Sequence, residues 1–202
     1  MVEAATKQEN VPEQPQVAVK KLKKKWIPIL TTQDFNNTYL GETYVDEADK
    51  ALGKSVEANL MNLTHDPKKQ NMVVTFTVTE VKNGQANGIL TGYEIPPAHV
   101  KRLTKRSKAK IEDSFEYTTA DNVKMQIKPV IMTRSQTHKS KLTLMRLESR
   151  KFLAEIVKKE SFVQVMKDVI AGNLQRDLKN EIKKYHAVSG IMIRVAKKMP
   201  HQ

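Results

Sequence analysis

Apolar and polar residues alternate along residues 55–95, and this pattern predicts a run of β-strands. Valine and phenylalanine alternate with threonine over residues 74–79, and Asn83-Gly84 follows before a second apolar run at 89–95. A period of two places one set of side chains on one face of a strand, and Asn-Gly suits the tight turn of a hairpin. We therefore predict one antiparallel meander over residues 55–95.

The next segment changes from a helix pattern back to a strand pattern. A helix is predicted to begin at Pro97, because a proline at the first helical position loses no hydrogen bond, and to extend toward Ser107. A hairpin is predicted over residues 111–133, with its turn at residues 120–122. Pro129 should bend its strand or place that strand at a sheet edge.

Three helices are predicted between residues 142 and 185, because apolar residues recur there at spacings of three and four. Ser161 has the hydroxyl of a helix N-cap, and Gly172 suits the left-handed residue that ends a helix. A last strand is predicted around residues 191–196. This order of elements predicts an α+β fold with a mostly antiparallel sheet.

The charge of the chain narrows its possible partners. Lys and Arg number 35 against 22 Asp and Glu, which gives a net charge of +13 and a pI near 9.8. An excess of one sign repels itself until an opposite charge neutralises it, and nucleic acid is the commonest polyanion. An anionic membrane surface is the main alternative, and a basic soluble enzyme is a third. The chain has no signal-peptide pattern at its start and no apolar stretch of 18 residues.

Residues that carry enzymatic chemistry do not form a recognisable site. The Gly-Lys-Ser sequence at 53–55 resembles the end of a phosphate-binding loop, but Ala48 stands where that loop needs a glycine. The five histidines lack metal-ligand spacing, and the neighbouring Glu112 and Asp113 point to opposite faces of a strand. The absence of cysteine excludes disulfides and thiolate zinc sites. We predict no enzymatic activity, no cofactor and no metal.

The cations concentrate in a few segments instead. Six of them and no acid lie between Lys101 and Lys110, whereas a solvated helix usually mixes signs to gain ion pairs. Residues 134–151 repeat this pattern with Glu148 as their one acid. Contact with RNA phosphates is the prediction, and a merely solvated face is the alternative. The predicted RNA-binding residues are Lys20, Lys21, Lys23, Lys24, Lys25, Lys101, Arg102, Lys105, Arg106, Lys108, Arg134, Lys139, Lys141, Arg146, Arg150, Lys151, Arg194, Lys197 and Lys198.

The predicted organisation is an arm followed by one domain. Residues 1–25 are predicted to form a disordered basic arm, and residues 26–199 a single α+β RNA-binding domain to which Trp26 and its apolar neighbours anchor the arm. Few aromatic residues lie among the cations, so stacking of bases on a sheet is not expected. The expected contacts are to phosphates, which position a protein on RNA without reading its sequence.

Short motifs along the chain follow a recognisable order. They are Lys25-Trp26, Tyr39-Leu40-Gly41-Glu42-Thr43, Gly53-Lys54-Ser55-Val56-Glu57, Thr118-Thr119-Ala120-Asp121-Asn122, Arg134-Ser135-Gln136, and the close from Tyr185-His186 to Arg194-Val195 with Lys197-Lys198. In this order and spacing, the motifs resemble the small-subunit ribosomal protein family called S-three-A-e (e-S-one in unified naming). Asn122 replaces a glycine of the family's Thr-Thr-x-Asp-Gly segment. The resemblance covers about residues 20–199, and the chain is similar to the archaeal type because it lacks the C-terminal extension of eukaryotic members.

The resemblance implies a β-barrel-like sheet with flanking helices on the platform of the small ribosomal subunit. The implied partners are rRNA near its 3′ end, neighbouring platform proteins and mRNA near its exit, in cytoplasmic ribosomes. The predicted function is that of a structural ribosomal component that clamps rRNA. A non-ribosomal RNA- or DNA-binding regulator is the alternative from another class.

Overall fold

The computed structural model describes residues 24–32, 35 and 37–199. Residues 1–23, with most of the predicted arm and with Lys20, Lys21 and Lys23, lie outside the described part. The described residues form nine strands and five helices, in the order β1 (Lys25–Thr31), β2 (Tyr39–Val45), β3 (Ser55–Asn59), α1 (Leu60–Thr64), β4 (Val73–Lys82), β5 (Gln85–Glu94), α2 (Pro97–Leu103), β6 (Lys110–Glu112), β7 (Phe115–Thr118), β8 (Lys124–Thr133), α3 (Lys139–Lys159), α4 (Phe162–Ala171), α5 (Asn173–Ile182) and β9 (Val188–Lys198).

The predicted meander is confirmed. Strands β3, β4 and β5 pair antiparallel in sequence, and the β4–β5 hairpin turns at Asn83 and Gly84 with φ angles of 52° and 75°. Both values lie in the left-handed region that Asn and Gly tolerate best. Val74, Phe76 and Val78 of β4 are buried, so Thr75 and Thr77 between them lie on the opposite face from the core.

The long strand β5 connects the two parts of the sheet. Strand β4 pairs along one side of β5; on the other side, β1 pairs parallel to Ala86–Gly88 and β9 antiparallel to Gly92–Glu94. Strand β2 extends the sheet beyond β1, and β8 extends it beyond β9. The sheet is mostly antiparallel as predicted, but it is open, and the barrel-like closure is not confirmed.

Strand β8 shows how Pro129 fits into the sheet. Its register with β9 shifts between Lys128 and Pro129. The predicted place at a sheet edge is wrong, because β8 is paired on both sides. The strand predicted from residue 111 to 119 is two short strands. Strands β6 and β7 pair with β8 on either side of the proline, whose missing N–H interrupts the ladder.

The helices α3, α4 and α5 pack against the sheet and one another around the main core. Met145, Leu153, Val165, Leu178 and Ile193 are among its fully buried side chains. Such burial contributes roughly 1.5–3 kcal/mol per large aliphatic side chain. A smaller cluster lies under β1, β2 and the β4–β5 hairpin.

The predicted helix signals at both ends of α4 are confirmed. The Ser161 hydroxyl accepts a hydrogen bond from the backbone N–H of Gln164 (3.3 Å), and Gly172 has a φ of 83°. The helix predicted from Pro97 toward Ser107 is shorter than expected. It ends at Leu103 because Thr104 is extended and its hydroxyl donates to the carbonyl of Val100 (2.9 Å). The cations that follow therefore lie on a loop.

Candidate nucleic-acid interface

The loop after α2 is held to the end of β8. The Ala109 N–H donates to the Thr133 hydroxyl (2.9 Å), and the Thr133 N–H donates to the Ala109 carbonyl (3.0 Å). Thr133 is fully buried, which fixes this junction. The loop it anchors presents the exposed side chains of Lys105 and Arg106.

Two further segments meet this loop at the same end of the sheet. The segment after β8 joins the loop through the Gln136 side chain, which donates to the Arg106 carbonyl (3.1 Å). It joins the segment before β9 through the Arg134 N–H, which donates to the Ala187 carbonyl (2.9 Å). The loop reaches the start of β9 through the Lys108 ammonium, which donates to the Ser189 hydroxyl (3.1 Å). We call residues 104–110, 134–141 and 183–189 together the composite basic surface. It brings together six predicted cations, namely Lys105, Arg106, Lys108, Arg134, Lys139 and Lys141.

The N-terminus of α3 adds to the positive potential of the composite basic surface. His138 makes no side-chain capping bond, and the first turn of this 21-residue helix contains no acid. The first amides of a helix carry partial positive charge and lack partners within the helix. Lys139 and Lys141 stand in that turn, where lysines are unfavourable without a nearby anion. The segment therefore suits an anionic ligand such as a phosphate.

Other predicted cations are engaged by acids from neighbouring segments. Arg146 contacts Asp113 (2.8 Å) and Arg194 contacts Glu112 (3.2 Å), while Lys151 contacts Glu148 one turn earlier (2.9 Å). The hydrogen bond from Lys110 lowers the pKa of Glu112, against partial desolvation and with help from Arg194. These cations are less available to phosphates than those of the composite basic surface.

Arg150 and Arg102 make contacts without acids. The Arg150 guanidinium lies over the Phe115 ring, 5.9 Å from its centroid. Arg102 lies 2.9 Å from Nδ1 of His99, and desolvation together with this guanidinium lowers the pKa of His99. Lys101, beside Arg102, is exposed.

The remaining predicted cations lie elsewhere on the sheet. Ser189 and Lys197 are eight residues apart on β9, which is about 26 Å at roughly 3.3 Å per residue. Lys198 adjoins Lys197, so the terminal pair is distant from the composite basic surface. Lys24 and Lys25 are farther still, because β1 pairs with the opposite half of β5.

Trp26 does not anchor the arm as predicted. Its side chain is 64% exposed, whereas Ile27 and Ile29 are buried and anchor β1 in the smaller core. Alternation along β1 explains the difference, since Trp26 lies on the face opposite to the two isoleucines.

Four exposed or partly exposed lysines were not among the predicted RNA-binding residues. Lys183 and Lys184 lie in the composite basic surface, but Glu181 precedes them and pairs with Lys184 (2.7 Å), so the segment is not acid-free. Lys124 and Lys128 share a face with Lys197, because Gln126 between them pairs with Lys197 across β8 and β9. Strand alternation was the signal that could have indicated this second group.

Neither a metal site nor a membrane-spanning helix is found among the described residues. They contain no group of three or more His, Asp or Glu side chains arranged to hold a metal ion. None of their helices is both long and apolar enough to cross a bilayer.

Comparison with known proteins identifies the family. Residues 15–200 match the Ribosomal S3Ae family, the family that the sequence motifs resemble. The small ribosomal subunit protein eS1 of Archaeoglobus fulgidus is 30% identical over 173 residues, which cover 85% of this chain and 82% of that protein. The proteins of the same name from Haloarcula marismortui and Nanoarchaeum equitans are 26% and 29% identical, over 85% and 81% of this chain and 80% and 83% of their own lengths. The resemblance is thus confirmed, and the chain belongs to the Ribosomal S3Ae family.

Proposed function

We propose that the chain is a structural constituent of the small ribosomal subunit and binds rRNA through the composite basic surface. The observation that carries this proposal is the meeting of three separate basic segments at one end of the sheet, tied by the bonds of Gln136, Arg134 and Lys108. The related archaeal proteins are named as constituents of the small subunit, which supports the same role. The prediction that the chain is not an enzyme is confirmed by its membership of a ribosomal protein family.

The charge balance of the composite basic surface supports binding to phosphates. Within the part of the chain that the structure describes, its six predicted cations form no ion pair, while acids engage Arg146, Lys151 and Arg194. Unpaired like charges at close range cost stability until counterions or phosphates neutralise them. An RNA backbone that displaces the counterions gains their release as binding free energy.

The resemblance to the family supports a location for this role. We propose that residues 26–199 act as one domain on the platform of the small subunit, near the 3′ end of the rRNA and the mRNA exit, in the cytoplasm. Neighbouring platform proteins, and mRNA at the exit, are its further partners in this proposal. Lys24, Lys25, Lys197 and Lys198 then supply secondary contacts away from the composite basic surface.

Sedimentation tests the ribosomal assignment. A tagged chain expressed in an archaeal host should cosediment with the small subunit on a sucrose gradient at one copy per subunit, and should remain there after a wash in moderate salt. A chain that stays at the top of the gradient, or sediments with other RNA or DNA, would instead be a free regulator. That result would overturn the proposal.

Salt dependence tests the mode of binding. If about eight phosphates are neutralised, the log–log slope of affinity for an rRNA fragment against salt should be roughly −7. A slope near zero at full affinity would contradict binding through the basic surface.

A further inference from the structure

An exposed aromatic pair lies at the start of the sheet, away from the composite basic surface. Trp26 on β1 and Tyr44 on β2 are directly opposite each other in the antiparallel ladder. Their ring centroids are 4.8 Å apart with the planes inclined by 36°. Trp26 is 64% exposed and Tyr44 is 50% exposed, so the rings contact each other but at least half of each side chain faces water.

Packing of the domain does not account for this exposure. The buried side chains next to the pair are Ile27, Ile29, Thr43 and Val45, which point to the opposite face. A cross-strand aromatic pair contributes roughly 0.2–1 kcal/mol to a sheet, whereas leaving large aromatic surfaces in water forgoes a larger gain from burial. The pair is therefore better suited to a ligand than to the core.

The charges around the pair indicate the chemistry of that ligand. The Lys24 ammonium lies 5.7 Å from the centroid of the Tyr44 ring. Lysines also occupy positions 20, 21 and 23 of the sequence, immediately before this site. The acid on the same face, Glu42, lies on the other side of Tyr44 along β2 and interacts with Tyr39. The Lys24 ammonium beside a flat aromatic surface matches a ligand that combines planar rings with phosphates.

We propose that Trp26 and Tyr44 form a stacking site for an unpaired base of single-stranded RNA, with Lys24 contacting an adjoining phosphate. The two rings already contact each other, so the base stacks on the exposed side of the pair and does not enter between the rings. Bases of a duplex are stacked on one another and are not available, so the site selects single-stranded segments. Stacking on aromatic side chains tolerates any base, because every base has a π-face. The inference rests on the proposed RNA-binding function and adds a contact to bases that phosphate binding alone does not supply.

The fluorescence of Trp26 reports directly on this site, because it is the one tryptophan of the chain. Oligouridylate should quench that fluorescence, and an abasic oligomer of the same length and phosphate number should not. Oligouridylate should also bind the wild-type chain about tenfold more tightly than the abasic oligomer, the effect of one good stacking contact. Equal affinity for the two oligomers, or binding of oligouridylate without quenching, would overturn the inference.

Variants separate stacking from charge and from folding. Trp26→Leu should bring the affinity ratio of the two oligomers close to one, and Trp26→Phe should retain part of the preference because it keeps a ring. Tyr39→Leu removes another aromatic residue of β2, 56% exposed and five residues from Tyr44, and should leave the ratio unchanged. If Trp26→Leu unfolds more readily in urea, the ratio in Trp26→Phe and the wild-type quenching still decide the question.

Binding of an rRNA fragment and the affinity ratio of the two oligomers together distinguish a wrong stacking site from a wrong proposed function. If an rRNA fragment binds with a steep salt slope while the two oligomers bind equally, only the stacking site is wrong. If neither the fragment nor the oligomers bind, the proposed function fails as well. A Trp26 that becomes buried only against a protein of the assembled subunit, with no response to RNA, would also contradict the stacking site.

Discussion

Removal of two unpaired arginines from the composite basic surface should weaken RNA binding by a predictable amount. Arg106→Ala together with Arg134→Ala removes one cation from each of two segments that Gln136 joins. Each lost phosphate contact lowers the log–log salt slope by about 0.9, which at about 0.15 M salt corresponds to roughly fivefold in affinity. The double variant should therefore bind about 30-fold more weakly, with a slope less steep by about 1.8.

A charge-matched variant provides the control. Arg146→Ala with Lys151→Ala also removes two positive charges from the net +13, but these cations are paired with Asp113 and Glu148. Because acids already engage these two cations, the expected loss of RNA affinity is less than about threefold. Both double variants should retain the wild-type circular dichroism spectrum.

The assay is a titration of labelled RNA followed by fluorescence anisotropy at several salt concentrations. A small-subunit rRNA fragment and an unrelated RNA of equal length and structure should lose affinity almost equally, because phosphates carry no sequence information. If the two double variants lose the same affinity, total charge and not the composite basic surface governs binding. A loss confined to one RNA sequence would refute the phosphate clamp itself.

Three further changes test individual contacts. Gln136→Ala removes the bond to the Arg106 carbonyl, so RNA affinity should fall about two- to tenfold while the salt slope in the anisotropy titration stays unchanged. Leu153→Ala creates a cavity beneath α3, where Leu153 is fully buried, and urea unfolding should show a loss of roughly 2–5 kcal/mol. Because the pKa of Glu112 is lowered in the folded protein by Lys110 first of all, its stabilising effect is present at neutral pH. The difference in urea midpoint between wild type and Glu112→Gln should therefore shrink as the pH falls below about 4.5.

The elements that were predicted well are those whose signals are local. The alternation in β4, the Asn83-Gly84 turn, and the Ser161 and Gly172 helix ends each lie within a few residues of what they specify. Strand β1 was not predicted as a strand, because its partner in β5 lies more than 50 residues later and Pro28 interrupts its apolar run. Closure of a sheet depends on such distant pairings, which explains why the open edge was not foreseen.

The candidate site was predictable in its residue types but not in its electrostatics. Acid-free runs identified the segments around Arg106 and Arg134. The acids Asp113 and Glu112 that engage Arg146 and Arg194 lie more than 30 residues earlier, at the end of β6, so counting charges along a segment could not include them. Lys183 was not predicted, because acids precede it in α5 although it belongs to the composite basic surface.

The central position of β9 links completion of the sheet to the ordering of the composite basic surface. Strand β9 follows all other strands in the chain, yet it fills the gap between β5 and β8. During synthesis, those two strands therefore present unpaired edges until β9 docks, and such edges are prone to aggregation. The partners of Arg134 and Lys108, at Ala187 and Ser189, arrive with the same segment. A nascent chain thus acquires its ordered composite basic surface in the same step that completes its sheet.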